Sequence, residues 1–207
     1  MTVTDPKTDL QVYLQDARDV LLWKLEGLSE YDVRRPLTPT GTNLLGLVKH
    51  LTGAEALYFG AAFDRPFAGT PLWFTGDADP DADLWARAAE SREDLVGGYR
   101  DAWAHADATI AELPLDAVGR IPGDGPGTGI TLHRVLTHMI AETQRHAGHA
   151  DVVRELIDGS VGQRPAGLNV APHDPEHVGR VERAAREAAA RWTGPTPSEP
   201  TSPERPA

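Results

Sequence analysis

The sequence predicts an all-α fold, a four-helix bundle of about 160 residues. Three features point to it. Four long segments carry leucines and alanines three or four apart, the repeat of a helix with one buried face. No stretch alternates apolar and polar residues convincingly over the length of a strand, and no internal repeat is visible. The breaks between segments fall on clusters of Pro, Gly, Asp and Thr, the residues of turns and helix caps.

The first helix is expected over residues 7–28, where Leu10, Leu14, Ala17, Leu21, Leu25 and Leu28 share a face. RRPLTPTG ends it, and Thr40 or Thr42 can cap the next helix, expected over 42–63 with Leu44, Leu47, Val48, Leu51, Ala54 and Leu57 inward. DRPFAGTPLWFTGDADPDAD then reads as a long loop, and a loop of that length in a compact domain is usually functional. The third helix is expected over 83–113, weakened at Gly97 and Gly98 by about 1 kcal/mol each. PLDAVGRIPGDGPGTG forms a second loop, and the fourth helix runs over 130–158 to a stop at Asp158-Gly159. The bundle therefore occupies 1–160. Residues 161–192 form a C-terminal extension whose segment 176–192 reads as a polar, Ala-rich helix, and the Pro/Ser/Thr tail 193–207 has too little to bury to order itself.

Composition narrows the function. A chain of 207 residues buries a core without staples, and it contains no cysteine, which removes disulfides, thiolate metal sites and a cysteine nucleophile. The net charge of −11 and lysines only at Lys7, Lys24 and Lys49 argue against nucleic acid or an anionic membrane as partner. No apolar run approaches the roughly 20 residues of a membrane span, and the N-terminus lacks a signal pattern. A soluble cytoplasmic protein is expected. The abundance of Arg, Ala and Asp over Lys suggests a GC-rich bacterial genome.

HMIAETQRHAGHADVVREL, residues 138–156, puts titratable groups on a helix face that otherwise packs. With Glu142 at zero and roughly 100° per residue, the apolar stripe centres near +50°. His146 then falls at about +40°, inside the stripe, and His149 at about −20°, toward its edge. Glu142 and His146, four apart, stack on one face. On the second helix His50 also faces inward, three after Leu47 and four before Ala54. A buried carboxylate is costly unless paired or metal-bound, and two imidazoles with one carboxylate form a catalytic zinc arrangement with an open position. Each member alone has a plainer reading. A lone core histidine is ordinarily a hydrogen-bonded packing residue, and a Glu-x3-His pair is common on helices. Spacing alone leaves a polar seam and a metal site both open.

The segments LLGLVKHLTGAEALYF and HMIAETQRHAGHADVVRELIDG resemble the DinB/YfiT-like superfamily of metal-binding four-helix bundles over about residues 8–159. The closer resemblance is to the actinobacterial branch of mycothiol-dependent maleylpyruvate isomerase and related thiol S-transferases. Many relatives hold the metal with three histidines, and in the isomerase branch one of them is Glu. This chain has the Glu version, so the resemblance implies His50, Glu142 and His146 as ligands. Where relatives have HRGQ this chain has HAGH, which makes His149 a candidate for a hydrogen bond behind a ligand or for proton transfer. The isomerase also uses an arginine, for which Arg65 is the candidate here. Trp73 and Phe74 are candidates for the substrate wall, or else plug the end of the bundle.

The resemblance implies a divalent metal, with Zn²⁺ the default and Ni²⁺, Mn²⁺ or Fe²⁺ compatible with the same donors. It further implies a low-molecular-weight thiol such as mycothiol, deprotonated at the metal and attacking an electrophilic carbon. The absence of cysteine requires that sulfur to come from a cosubstrate. Two other readings use the same residues: a metal-dependent hydrolase of a small molecule, and a non-catalytic metal-binding or stress-response bundle. Bundles of this class often pair, so a homodimer is compatible.

Overall fold

Each helix of the bundle starts where a side chain takes over an unpaired backbone N–H. In the computed structural model, which describes residues 5–69, 81–123, 125, 128–164 and 174–191, Asp5 accepts from the Thr8 amide to open α1 (Pro6–Trp23). Ser29 does the same for the short α2 (Glu30–Arg34), and Asn43 for α3 (Leu44–Glu55). Ser91 caps α4 (Arg92–Glu112), and Thr131 caps α5 (Leu132–Asp158), which Gly159 closes at φ +76°. A two-residue antiparallel ladder, β1 (Val118–Gly119) with β2 (Ile130–Thr131), precedes α5 and pairs Val118 with Thr131. α6 (Pro175–Arg191) belongs to a separate compact unit and buries none of its residues.

Four long helices are present as expected, with differences at their ends. α1 stops at Trp23 rather than Leu28, because Gly27 takes the left-handed φ of +73° and Ser29 starts a new helix. The cap of α3 is Asn43 rather than Thr40 or Thr42. Its side-chain carbonyl accepts from the Gly46 amide at 2.8 Å while its amide donates to both the Gly41 and Leu84 carbonyls, and a hydroxyl has only one proton to give. The helix expected through 63 loses its α geometry after Glu55, widening to a π turn at Ala56–Gly60 and tightening to 3₁₀ at Ala61–Phe63. α4 starts at Arg92 rather than 83. Residues 81–90 are turns held by Leu84 N to Asp81 O and Glu90 N to Arg87 O, and Leu84 and Trp85 are exposed.

Helix directions follow from the contacts at their ends. Lys7, early in α1, donates to the Leu113 carbonyl just beyond α4, and Arg92, at the start of α4, reaches the carbonyls of Leu25 and Leu28. These two are antiparallel. Arg154, late in α5, donates to the Lys24 and Glu26 carbonyls just beyond α1, so α1 and α5 are parallel. His50 meets Glu142 while Tyr58 meets His138, which makes α3 antiparallel to α5. α3 and α4 are therefore parallel and packed side by side. Parallel neighbours need a long crossover, and the chain between α3 and α4 provides it, with residues 81–90 packed along α3.

Leu14, Leu21, Leu45, Leu51, Phe59, Ile110, Val135 and Met139 fill the centre with no exposure. Each such side chain contributes about 1.5–3 kcal/mol through burial. Also fully buried is Arg18, forked onto Glu55 at 2.7 and 2.8 Å, with its remaining nitrogen on Gln15 and Asp107. Among the described residues no helix is long and apolar enough to cross a membrane.

Candidate metal centre

One side of α3 carries Asn43, Gly46, Lys49 and His50, and α5 brings Glu142 and His146 up against His50. His50 Nε2 lies 3.4 Å from Glu142 Oε1, and His146 Nε2 lies 3.0 Å from the same oxygen. One ligand atom from each of the three falls within 4.8 Å of the others. The imidazoles meet edge to face with centroids 4.8 Å apart. Their side chains are 23, 27 and 14% exposed for His50, Glu142 and His146, so a small molecule can reach the point they surround.

The buried residues of α5 include Thr143, Ala147 and Arg154. They shift the packed face to about +80° on the scale used above, against the expected +50°. The cause is that α5 packs on α1 as well as α3. His146 and Glu142 consequently stand at the rim of the packed face, along the α3–α5 seam, and not in its middle.

A proton count shows what the group lacks. Asp83 Oδ2 sits 2.7 Å from His50 Nδ1, a distance that needs a proton on that nitrogen. A neutral His50 then turns a bare Nε2 lone pair toward the Glu142 carboxylate. His146 can offer one N–H to Glu142, but its Nδ1 then faces His149 Nδ1, 3.4 Å away, without a proton of its own. With one N–H per ring the three imidazoles leave one of these four contacts without a proton, and one further positive charge there, a proton or a divalent cation held by two imidazole nitrogens and a carboxylate, would close it.

The electrostatics favour the ligand forms. Burial pushes the Glu142 carboxyl upward, but the hydrogen bonds and charges of His146 and then His50 outweigh it and hold it below the usual carboxylate range. Burial, joined by the neighbouring His50, lowers His146 against the pull of Glu142. A carboxylate and a neutral imidazole are the protonation states that bind metal.

A sequence model of the mycothiol S-transferase family matches residues 9–159. The chain belongs to that family. It is a DinB-like family, and the mostly helical bundle agrees with it. Among solved structures, a conserved protein from Enterococcus faecalis is similar at a TM-score of 0.61 and 16% identity, covering 76% of this chain and 100% of that one. At that identity the likeness concerns the fold. No curated protein matches the chain. Membership in the mycothiol S-transferase family implies the handling of a small-molecule substrate.

The other expected site residues are distributed differently. His149 is exposed and lies behind His146, against Nδ1 and away from the point of convergence. Arg65 turns to α4, with Nε on Thr109 and Nη1 on Glu112 at 2.6 Å, and is not brought to the histidines. Trp73 and Phe74 lie outside the described residues. Asp83, on the crossover, has no motif to announce it, because helical periodicity absorbed it into the start of the third helix. Of the histidines without an expected role, His105 binds the Arg65 carbonyl and His138 stacks on Tyr58.

Proposed function

We propose that the protein is a metal-dependent thiol S-transferase that joins a low-molecular-weight thiol, mycothiol in the first instance, to an electrophilic small molecule. The observation that carries this reading is the convergence of His50, Glu142 and His146, with Glu142 and His146 both lowered from their ordinary values, within a chain of the mycothiol S-transferase family. His50 and His146 would hold a divalent cation through Nε2 and Glu142 through its carboxylate, with zinc the first choice for this donor set. Such a cation supplies positive charge that lowers the pKa of a thiol presented to it.

The chain's own residues define the rest. No side chain here can serve as the sulfur nucleophile, since the sequence lacks cysteine, so the cosubstrate brings it. Glu142 would neutralise part of the cation's charge through the oxygen that faces both imidazoles. His149, exposed beside His146, supports that ring from behind and can pass a proton to solvent. The turn 81–90 meets His50 through Asp83 and is the natural wall for the electrophile.

The test is metal content by emission spectrometry, followed by mycothiol conjugation to a fluorogenic haloalkyl acceptor, for wild type and His50→Ala in parallel. About one metal per chain and turnover, both lost in the variant, are expected. A metal-loaded wild type with no thiol conjugation across a panel of electrophiles would overturn the transferase reading.

A further inference from the structure

α3 holds the crossover by three separate contacts, and all of them serve to deliver one carboxylate. Asn43 Nδ2 donates to the Leu84 carbonyl at 3.1 Å. Gly46 lies so close beneath that carbonyl that a Cβ added there would collide with it. Lys49, 1% exposed, donates to the Trp85 carbonyl at 3.0 Å and to Glu90 at 2.9 Å, and Glu90 in turn accepts from the Arg87 amide. Asn43, Gly46, Lys49 and His50 follow at helical spacing, so the strip that clamps residues 84–90 ends at the histidine. Ala82, 2% exposed, anchors the other side of Asp83. Asp83 is thereby fixed between two pinned neighbours, and its side chain is 20% exposed where it meets His50 Nδ1.

We infer that Asp83 is a positioning residue for His50: it keeps the proton on Nδ1, locks the ring, and so aims the Nε2 lone pair at the point shared with Glu142 and His146. The inference rests on the metal reading of that point. Asp83 is not itself a ligand in this arrangement, because it occupies the opposite nitrogen of the ring from the one facing Glu142. A carboxylate on the far nitrogen fixes tautomer and orientation and strengthens the imidazole as a donor to metal. His146 is held differently, by the exposed ring of His149. The two histidines are therefore unequal, with His50 the better anchored.

Two readouts on the full chain test this. In metal-free protein with ¹⁵N-labelled histidine at pH 8, long-range nitrogen–proton correlation spectra report the His50 tautomer. Zinc affinity is measured against a chromophoric chelator, with circular dichroism to confirm that helicity is kept. Wild type should carry the proton on Nδ1. Asp83→Ala should move it to Nε2 and weaken zinc by about 10–100-fold. Asp83→Asn, whose amide oxygen can still accept from Nδ1, should recover part of the affinity and keep the wild-type tautomer. Asp83→Ala with an unchanged tautomer and zinc affinity within twofold of wild type would overturn the inference. So would a cobalt(II) absorption spectrum showing that Asp83→Ala removes a ligand. A wild type with the Nδ1 proton that binds no zinc would defeat the metal reading, and with it the purpose assigned to Asp83, while the tautomer shift shows its hold on the ring to be real.

Discussion

Two polar clusters are set five residues apart on the same helix, and they have opposite economies. Around Glu55 the donors match the acceptors: Arg18 gives Nε and Nη2 to the two carboxylate oxygens and Nη1 to Gln15 and Asp107. Both partners are fully buried, and burial pushes the Glu55 carboxyl up against the pull of Arg18. Burial opposes the charge on Arg18, yet Glu55 outweighs it and holds the guanidinium firmly protonated. Around His50 three imidazoles with one N–H each serve four polar contacts, and the side chains remain partly open. The comparison teaches that polar residues on an inner helix face are not in themselves a site. A cluster that neutralises itself is architecture; one that is left short of positive charge, with access from outside, is where a ligand belongs.

The largest expected effect comes from breaking the closed cluster. Glu55→Ala leaves Arg18 buried without its main partner and should cost about 3–5 kcal/mol, read as a shifted midpoint in urea unfolding. Replacing both partners, as Arg18→Met with Glu55→Leu, should recover most of that loss, since a well-packed apolar pair often equals a buried ion pair. Failure of the double variant to recover would mean that Asp107 and Gln15 depend on the guanidinium more than the geometry suggests.

The open cluster should respond in the reverse sense. His146→Ala should abolish stoichiometric metal binding while leaving helicity intact and shifting the stability of metal-free protein by no more than about 1 kcal/mol, as for other partly exposed positions. Retention of one metal per chain in that variant would remove His146 from the ligand set. A smaller effect is expected at Gly46→Ala, where the added methyl must displace the Leu84 carbonyl and with it Asp83. Overpacking of this kind costs about 1–3 kcal/mol, and zinc affinity should fall alongside stability.

Acid gives the mildest contrast. His146 is lowered from its ordinary value of 6.5 and Glu142 from 4.5, so in both cases the unfolded chain binds more protons between the two values. Their stabilisation is complete above the unfolded values. It is lost as pH falls below about 6.5 through the lowered value of His146, and again below about 4.5 through that of Glu142. Metal binding should weaken over the same descent because protons compete for the ligands. Thermal midpoints and zinc titrations from pH 8 to 4 read both trends. His146→Ala should flatten the upper part of the stability curve.

The sequence by itself determined the class of fold and the three converging side chains. Helical periodicity is a local property, so Leu14, Leu21, Leu51 and Met139 could be placed on inner faces from spacing alone, and Glu142 with His146 from a separation of four. It also determined that any sulfur nucleophile is foreign, through the absence of cysteine. Only the tertiary structure decided that α3 and α4 run parallel, because direction depends on which helix ends meet. From that direction follows the long crossover, and from the crossover follows Asp83, 33 residues from the histidine it supports. The turn 81–90 misled periodicity for the same reason: its backbone is held to α3 through the Leu84 and Trp85 carbonyls, and Ala82 is buried and Leu84 exposed without a helix of their own. The sequence likewise could not set the depth of the site. The packed face of α5 is decided by its two neighbours, and sharing that face with α1 moves Glu142 and His146 to the rim, where a small molecule can reach them.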